Sequence, residues 1–290
     1  MVNPMIDMSK FAVIVLCHCR PNNTTTVATL RKRGYTGKIY LVLDDEDPTI
    51  EQYRQNFKDE TIYVFSKDEM LNHIDIMNNN RDKRCAVYAR NACFDLAEQY
   101  GLKYFCQVDD DYTSFAYRRA EEDNKLYRYD TVNLDEVFQI YLEFMETSEN
   151  IGAVAFAEPG DFVCGSSSNL ASHRFLQKCM GSWICFTDRR LHFLGVMNDD
   201  VNTYALNGSR GQLFYTFDYI MIDTPETQAT DGGMTDLYLG NGTYAKTFYT
   251  VLCCPSFVRI SMFGDKHFRI HHKFSWGNAI PKLISDRYKR

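Results

Sequence analysis

The sequence predicts an α/β protein whose mostly parallel sheet is flanked by helices and is followed by a mixed α+β second half. Short apolar segments alternate with helical patterns from Phe11 to Val108, as βαβ units require. Beyond Pro159 this alternation fades into stretches rich in Gly, Ser and Asn that separate short strands. We therefore expect a regular first half and an irregular second half built around the same sheet.

The first half takes its predicted elements from its hydrophobic pattern. Phe11–Cys17 is almost entirely apolar, which is typical of a parallel strand covered on both faces. Further strands are predicted at Lys38–Leu43, Thr61–Phe65 and Tyr104–Val108. Helices are predicted over Thr24–Arg33, Pro48–Phe57 and Cys85–Tyr100, and a helix followed by a mobile connection over Lys67–Lys83.

The second half has fewer clear patterns. Leu134–Glu146 predicts an amphipathic helix, with Asn133 before it as a cap. The predicted strands are Ala153–Ala157, Trp183–Thr187, Phe214–Ile222 and Lys246–Cys253.

Composition argues against several classes of protein. The mean hydropathy is −0.36 and the early apolar segment Phe11–Cys17 is too short to cross a bilayer. The first residues lack the pattern of a secretory leader, so we expect a cytoplasmic protein with no membrane contact. The 10 cysteines show no C-x-x-C spacing, which favours reduced thiols over a zinc site.

Charge is unevenly distributed along the chain. The net charge of −6 argues against a uniformly basic nucleic-acid binder. Residues 265–290, however, contain seven Lys and Arg against two Asp. A basic tail suits an anionic partner such as a phosphate backbone, although a solubilising terminus has the same composition.

Three consecutive carboxylates, Asp109, Asp110 and Asp111, follow the predicted strand Tyr104–Val108. Ligands of open α/β sheets bind at the carboxyl ends of the strands. Because adjacent carboxylates repel each other, an oxygen-ligand cation such as Mn²⁺ or Mg²⁺ would stabilise this cluster. The alternative interpretation is a solvated acidic turn.

Other polar residues are predicted at the same edge of the sheet. Asp44 and Asp45 follow the second strand, where an acid can accept hydrogen bonds from a ribose or a base, unless they form an exposed loop. No Gly-rich phosphate loop follows the first strand, and Arg20 and Pro21 occupy that position instead. Arg90 lies in a helix, from which its guanidinium can bind a diphosphate or simply face solvent.

These features together resemble the GT-A family of nucleotide-sugar glycosyltransferases. The shared features are a polar loop after the first strand, an acid after the second, an Ala-Arg-Asn helix and an apolar strand that ends in Asp-x-Asp. The resemblance implies a Rossmann-type sheet and a donor site. The implied donor-binding residues are Arg20, Pro21, Asp44, Asp45, Arg90, Asp109 and Asp110.

The resemblance also implies a metal and a base. Asp109 and Asp111, with His271 or His272, would hold Mn²⁺ or Mg²⁺ against the donor diphosphate. In a strand the two histidines would face opposite ways, so one would be the ligand. Asp199 or Asp200 would be the catalytic base; the alternative for either is a helix cap.

Longer motifs resemble a narrower group, the TET-associated glycosyltransferases of bacteriophages. They are HCRPNN, LVLDDED, QVDDDY, VMNDDVNTYALNG and RIHHKFSWGN. This resemblance implies transfer of a sugar from a nucleotide donor, with a UDP-sugar expected, to 5-hydroxymethylcytosine or 5-hydroxymethyluracil in DNA. It implies one domain over 1–290, with a donor half (1–115), an acceptor half (116–264) and a basic tail (265–290), located in the host cytoplasm.

The residues give the DNA acceptor limited support. Aromatic and basic side chains interleave between Tyr112 and Tyr129 and could stack on bases. Trp183 or Trp276 could fill the gap left by a flipped base, although core packing is the simpler role for each. A glycan, lipid or protein acceptor stays open, as does a non-catalytic nucleotide-sugar or DNA-binding module. We expect no obligate protein partner.

Overall fold

The first half of the chain folds into alternating strands and helices. The structure, a computed structural model, describes residues 6–79, 81, 83–121, 125–130, 132–162, 178–224, 245–263 and 269–279. The strands are β1 (Phe11–Leu16), β2 (Lys38–Asp44), β3 (Thr61–Phe65) and β4 (Tyr104–Asp109). The helices are α1 (Thr26–Lys32), α2 (Ile50–Asn56), α3 (Lys67–Leu71) and α4 (Val87–Gln99).

The second half contributes seven further strands and four helices to the described part of the chain. The strands are β5 (Ser114–Ala120), β6 (Leu126–Tyr129), β7 (Ile151–Ala157), β8 (Trp183–Phe186), β9 (Leu213–Asp223), β10 (Val258–Phe263) and β11 (Arg269–Phe274). The helices are α5 (Leu134–Met145), α6 (Asp199–Ser209), α7 (245–253) and α8 (Trp276–Ala279).

Nine of these strands form one mixed sheet in the order β3-β2-β1-β4-β8-β7-β9-β5-β6. Strands β1 to β4 pair in parallel, as do β7 and β9, and the other neighbours are antiparallel. The predicted fold class, α/β with a parallel half and a mixed half, is therefore confirmed. Because β1, β2 and β4 run in the same direction, the residues that follow them meet at one edge of the sheet.

Strand β1 is buried on both faces, as its apolar sequence predicts. Ala12 and Ile14 pack in a layer that includes Phe94 of α4. Val13 and Val15 pack in the opposite layer, which includes Phe138 of α5. Alternate residues of one strand thus join two apolar layers, and the helices on the two faces keep the central strands away from water.

Several predicted elements differ from the structure. Residues 245–253 form a helix where a strand was predicted at Lys246–Cys253. Thr247, Thr250 and Cys254 are buried at helical spacing, so packing overrides the strand preference of the β-branched and aromatic residues around them. Helix α3 begins at Lys67, within the span where a helix and a connection were predicted, whereas β5, β6, β10 and β11 were not predicted. Among the helices of the described ranges, none combines the length and apolarity needed to cross a membrane.

Candidate active site

The acid turn Asp109–Asp111 lies near the middle of the sheet, where β4 ends. Asp109 pairs in register with Leu16, the last residue of β1. The side chains of Asp109 and Asp111 are 40% and 28% exposed, whereas that of Asp110 is 1% exposed. The turn therefore presents two carboxylates at the surface and buries the one between them.

Threonine hydroxyls of α1 and its cap fix the shape of the acid turn. Thr26 Oγ1 donates to the carbonyl of Asp109 at 2.7 Å and accepts from the N–H of Tyr112 at 2.8 Å. Thr25 and Thr29 both donate to the carbonyl of Tyr112, each at 3.0 Å. These bonds give partners to backbone groups of the turn and fix its main chain against α1.

Asp110 forms a buried ion pair with Arg20 of the loop after β1. Arg20 Nη2 donates to Asp110 Oδ1, and Nη1 lies 3.4 Å from Asp111 Oδ2. Burial raises the pKa of Asp110 to about 7 although Arg20 opposes this, and the charges of Asp111 and Asp109 raise it further. Arg20 therefore bonds to two of the three acids in the turn.

The loop that carries Arg20 is anchored to α2. The N–H of Arg20 donates to the Tyr53 hydroxyl at 3.1 Å. Pro21 is buried, and its carbonyl accepts from Asn56 Nδ2 at 2.9 Å. Pro21 thus helps to hold the loop against α2, whereas its contact with the nucleotide-sugar donor stays a prediction.

Arg90 links the acid turn to α6. Its Nε donates to Asp199 Oδ2 at 2.8 Å, and its Nη2 donates to Asp109 Oδ1 at 3.3 Å. Arg90 is 5% exposed, and its Nη1 is buried without a hydrogen-bond partner among the residues that the structure describes. Burial raises the pKa of Asp199, and the nearby charges of Asp200 and Asp109 add to this effect while Arg90 opposes it.

The start of α6 is held by Asn198, which adopts the left-handed conformation at φ 53°. Its side-chain amide donates to the carbonyl of Lys246 at 2.7 Å and to Thr250 Oγ1 at 3.1 Å, both in α7. Asp200 Oδ1 accepts from the N–H of the next residue at 2.7 Å. Asn198 therefore occupies the cap position that was considered for Asp199 and Asp200, and both acids begin the helix itself.

Asp44 and Asp45 are both engaged by protein groups. Asp44 Oδ2 lies 2.9 Å from His18 Nδ1, and Asp44 Oδ1 lies 2.9 Å from Lys67 Nζ. Burial opposes ionisation of Asp44, but these two hydrogen bonds outweigh it and lower its pKa to about 2. Asp45 is exposed and accepts from the N–H of Lys67 at 3.0 Å. Asp44 therefore positions His18 and Lys67 at the edge of the sheet.

Potential metal ligands occur in two places. His18, Cys19 and Asp47 offer ligand atoms within 4.8 Å of one another, and they are the one such group of three in the part of the chain that the structure describes. Asp109 and Asp111 form the other place, where no described histidine completes a group of three. Of the predicted metal ligands, the two carboxylates Asp109 and Asp111 are those that lie at the acid turn.

The predicted ligands His271 and His272 lie in β11, which pairs with β10 outside the main sheet. Their rings are stacked, with centroids 4.3 Å apart, so the expectation that they face opposite ways is wrong. Burial lowers the pKa of His272 to about 4, and the charges of His271 and Lys246 contribute. Their role as metal ligands stays a prediction.

The aromatic residues considered for DNA binding differ in their exposure. Trp183 is fully buried against Phe193 and Phe214, which supports core packing. Trp276 stacks on Phe274 with ring centroids 5.1 Å apart. Tyr127 and Tyr129, by contrast, are 39% and 44% exposed on β6, the last strand of the sheet. The basic tail lies largely outside the described residues, which stop at 279.

Sequence reasoning missed three side chains at this edge of the sheet. His18 and Lys67 flank Asp44, and Glu158 follows β7. The HCR sequence after β1 was a signal for His18, because a polar loop at a strand end faces the ligand side of the sheet. Lys67 and Glu158 carry no local signal, since their proximity to the site depends on strand order.

The mixed sheet carries a cluster of acids and arginines at the edge where β1, β2 and β4 end. A family model described as TET-Associated Glycosyltransferase matches residues 11–233. The chain therefore belongs to the TET-associated glycosyltransferase family. Its predicted enzyme class, glycosyltransferase, is confirmed.

Other comparisons give distant likenesses. No curated protein matches the sequence significantly. Similar solved structures include glucosyl-3-phosphoglycerate synthase from Mycobacterium tuberculosis with Mn²⁺, UDP and phosphoglyceric acid, at TM-score 0.47 and 10% identity over 91% of this chain and 86% of that chain. Its complex with Mg²⁺ and UDP has TM-score 0.45, 10% identity and coverage of 91% and 87%. Its complex with Mn²⁺, UDP-glucose and phosphoglyceric acid has TM-score 0.48, 8% identity and coverage of 89% and 86%.

Proposed function

We propose that this glycosyltransferase moves a sugar from a nucleoside diphosphate, with a UDP-sugar as the expected donor, to the hydroxyl of a 5-hydroxymethylpyrimidine in DNA. Mn²⁺ or Mg²⁺ is the expected cofactor. The observation that carries the donor part of this proposal is the position of Arg90 between Asp109 and Asp199. One buried cation thereby joins the acid turn to the helix that carries the predicted catalytic acids.

The acid turn fits a hard divalent cation. Asp109 and Asp111 are partly exposed and only loosely bound by arginine, at 3.3 Å and 3.4 Å, whereas Asp110 is buried against Arg20. The two outer carboxylates are therefore available as oxygen ligands, and the middle one keeps the turn in shape. Bound there, the cation would act as a Lewis acid that stabilises charge on the departing diphosphate.

Two guanidinium groups are placed to bind the diphosphate beside the acid turn. Arg20 approaches Asp111 from the β1 loop, and Arg90 approaches Asp109 from α4. The Nη1 of Arg90 is buried and makes no hydrogen bond to a described residue, so it has a donor left for a phosphate or sugar oxygen. Arginine is well suited to this role because its planar fork can bind two oxygens at once.

The nucleoside end of the donor is expected beside Asp44. That acid fixes the imidazole of His18 and the ammonium of Lys67 through bonds of 2.9 Å each. The exposed side of His18, together with Asp45 and the Arg20-Pro21 loop, would then contact ribose or base. This arrangement gives Asp44 an organising part in donor binding.

The DNA acceptor rests on the family and on one surface feature. The chain belongs to the TET-associated glycosyltransferase family, and its resemblance to that family is what implies a hydroxymethylated pyrimidine in DNA as the acceptor. Tyr127 and Tyr129 are exposed on β6, and as alternate residues of one strand they form an aromatic surface suited to stacking on bases. A base within a duplex would have to leave the stack to reach the acid turn.

A direct displacement by the acceptor hydroxyl needs a group that accepts its proton. Asp199 and Asp200 are the candidates implied by family resemblance. Of the two, Asp199 is already bound to Arg90 at 2.8 Å. Asp199 is therefore better suited to hold Arg90 than to accept a proton.

A donor-turnover assay tests the enzymatic part of the proposal. Purified protein is given UDP-, ADP- and GDP-sugars with Mn²⁺, with or without a hydroxymethylated oligonucleotide, and the released nucleoside diphosphate is measured. We expect release from a UDP-sugar that EDTA abolishes and the oligonucleotide accelerates. Binding of UDP without release under any of these conditions would instead indicate a non-catalytic binding module.

A further inference from the structure

Glu158 directly follows β7, which lies on the opposite side of β4 from β1 in the sheet. Its N–H donates to Asp161 Oδ2 at 3.0 Å. Asp161 is in turn paired with Lys178, which precedes β8. The main chain at Glu158 is therefore bound to Asp161, which is itself held by Lys178.

The Glu158 carboxylate lies against Gly181 and near the side chain of Tyr112, the residue that follows the acid turn. A Cβ placed on Gly181 would lie 2.6 Å from Glu158 Oε1 and 3.2 Å from the hydroxyl oxygen of Tyr112. Tyr112 directly follows the acid turn and is fully buried. The missing side chain at Gly181 is thus what gives the carboxylate its place next to Tyr112.

Glu158 differs from the other carboxylates of the site in that its side chain has no bonding partner among the residues that the structure describes. Asp109 and Asp199 share Arg90, and Asp110 is paired with Arg20. The Glu158 carboxylate makes no hydrogen bond or ion pair with any residue in the described ranges. A partly buried carboxylate to which no described residue is bound is suited to exchange a proton.

The electrostatic surroundings agree with this position. Burial raises the pKa of Glu158 to about 7, Lys178 opposes the shift, and the charges of Asp200, Asp161 and Asp109 add to it.

We propose that Glu158 is the catalytic residue that accepts the proton of the acceptor hydroxyl, in preference to Asp199 and Asp200. This role rests on the proposed glycosyl transfer. The O–H bond of the acceptor breaks and its proton goes to a Glu158 oxygen. The hydroxyl oxygen forms a bond to the anomeric carbon of the sugar, whose bond to the diphosphate breaks, and that electron pair leaves with the nucleoside diphosphate.

Asp199 and Asp200 then have other parts in the reaction. Asp199 is a positioning residue that orients Arg90, and Asp200 supplies a negative charge near Glu158. The proposal therefore gives the three acids three different roles.

The test compares Glu158→Gln, Asp200→Asn and Glu149→Gln, the last being an exposed acid that serves as the matched control. Transfer is measured at saturating donor and acceptor, and Mn²⁺-dependent UDP binding is measured separately by calorimetry. We expect Glu158→Gln to lower kcat by about 10²- to 10⁴-fold with unchanged UDP affinity. Glu149→Gln should match the wild type, and Asp200→Asn should lose less than Glu158→Gln.

Two results would overturn the assignment. Wild-type kcat in Glu158→Gln would do so directly, and a larger loss in Asp200→Asn than in Glu158→Gln would give the proton to Asp200. Should Glu158→Gln fail to fold, Glu158→Asp provides the same test, because a carboxylate withdrawn by one methylene should lower kcat with UDP affinity retained. Absence of transfer by the wild type to any acceptor would overturn the proposed function and this role together.

Discussion

Arg90 and Asp199 form an ion pair of 2.8 Å between residues 109 positions apart in the sequence. The pair joins α4, which packs beneath the donor half of the sheet, to the first residue of α6. Arg90 also bonds to Asp109. A change at either end of the pair should therefore affect both donor binding and the transfer step.

Replacing Arg90 with Lys keeps the charge but removes the planar fork that contacts both acids. We expect Arg90→Lys to lower kcat/KM by about 10²-fold, which corresponds to about 3 kcal/mol. In the Arg90→Lys variant, the further change Asp199→Asn should lower kcat/KM much less than it does in the wild type, because the contact between the two residues is already lost. Steady-state kinetics of the two single variants and the double variant measure this coupling, with exposed Arg54→Lys as the control. Additive losses would show that the pair does not act as a unit.

Asp111→Asn removes one of the two exposed carboxylates of the acid turn. We expect the variant to lose Mn²⁺-dependent UDP binding by at least about tenfold and to keep its melting temperature, since Asp111 is 28% exposed and its contact with Arg20 is long. Calorimetric titration of UDP with and without Mn²⁺ measures the loss. Asp59→Asn, in an exposed turn after α2, is the matched control. Unchanged UDP affinity in Asp111→Asn would show that the metal does not bind at this turn.

Asp44 should make stability depend on pH in the acid range. Its pKa falls from 3.8 to about 2 in the folded protein, because the hydrogen bonds from His18 and Lys67 outweigh burial. Because the pKa of Asp44 is lower in the folded protein, its ionised carboxylate stabilises the fold at pH values above the unfolded-state pKa. This stabilisation is lost as the pH falls from about 4 towards 2. The contribution at neutral pH is about 2 kcal/mol.

Asp44→Asn removes this carboxylate and leaves the buried ammonium of Lys67 without its close partner. We expect a loss of about 3 kcal/mol at pH 7 and a flatter pH dependence of stability below pH 4. Urea unfolding at several pH values measures both, and exposed Asp188→Asn should behave as the wild type. Parallel pH curves for Asp44→Asn and the wild type would contradict the lowered pKa.

Gly181→Ala tests the space beside Glu158 without altering a charge. The added Cβ would lie 2.6 Å from Glu158 Oε1, and φ at this residue is +65°, which strains an alanine by about 1 kcal/mol. We expect a small fall in melting temperature and a fall in kcat of about tenfold or more, because the carboxylate must move. Gly160→Ala, where a Cβ meets no atom within 4 Å, is the control. Unaltered kcat in Gly181→Ala would mean that the position of this carboxylate does not matter.

The sequence predicted those parts of the molecule in which local pattern and tertiary structure agree. Strand β1 is buried on both faces and reads as an unbroken apolar segment, and the acid turn follows β4 as expected. Helix α7 was mistaken for a strand because its Thr, Phe and Tyr residues favour strands when considered alone. Its buried face is chosen by contact with α6, for example through Asn198 and Thr250, and that contact is invisible in the sequence.

The same limit applies to the site. Asp44, Arg90 and Asp109 were predicted because each follows or precedes a recognisable element. Glu158 was not predicted, because it approaches the acid turn only through the position of β7 beside β8 and of β8 beside β4. The order of strands in the second half has no signature in composition or periodicity.

The most direct measurement is mass spectrometry of DNA after incubation with the protein, Mn²⁺ and a panel of UDP-sugars. One duplex contains 5-hydroxymethylcytosine, a second contains 5-hydroxymethyluracil and a third, of the same sequence, contains ordinary pyrimidines. We predict a sugar mass increment on hydroxymethylated DNA alone, which EDTA abolishes. Donor turnover that leaves all three duplexes unmodified would contradict the DNA acceptor and direct the enzyme to a glycan, lipid or protein.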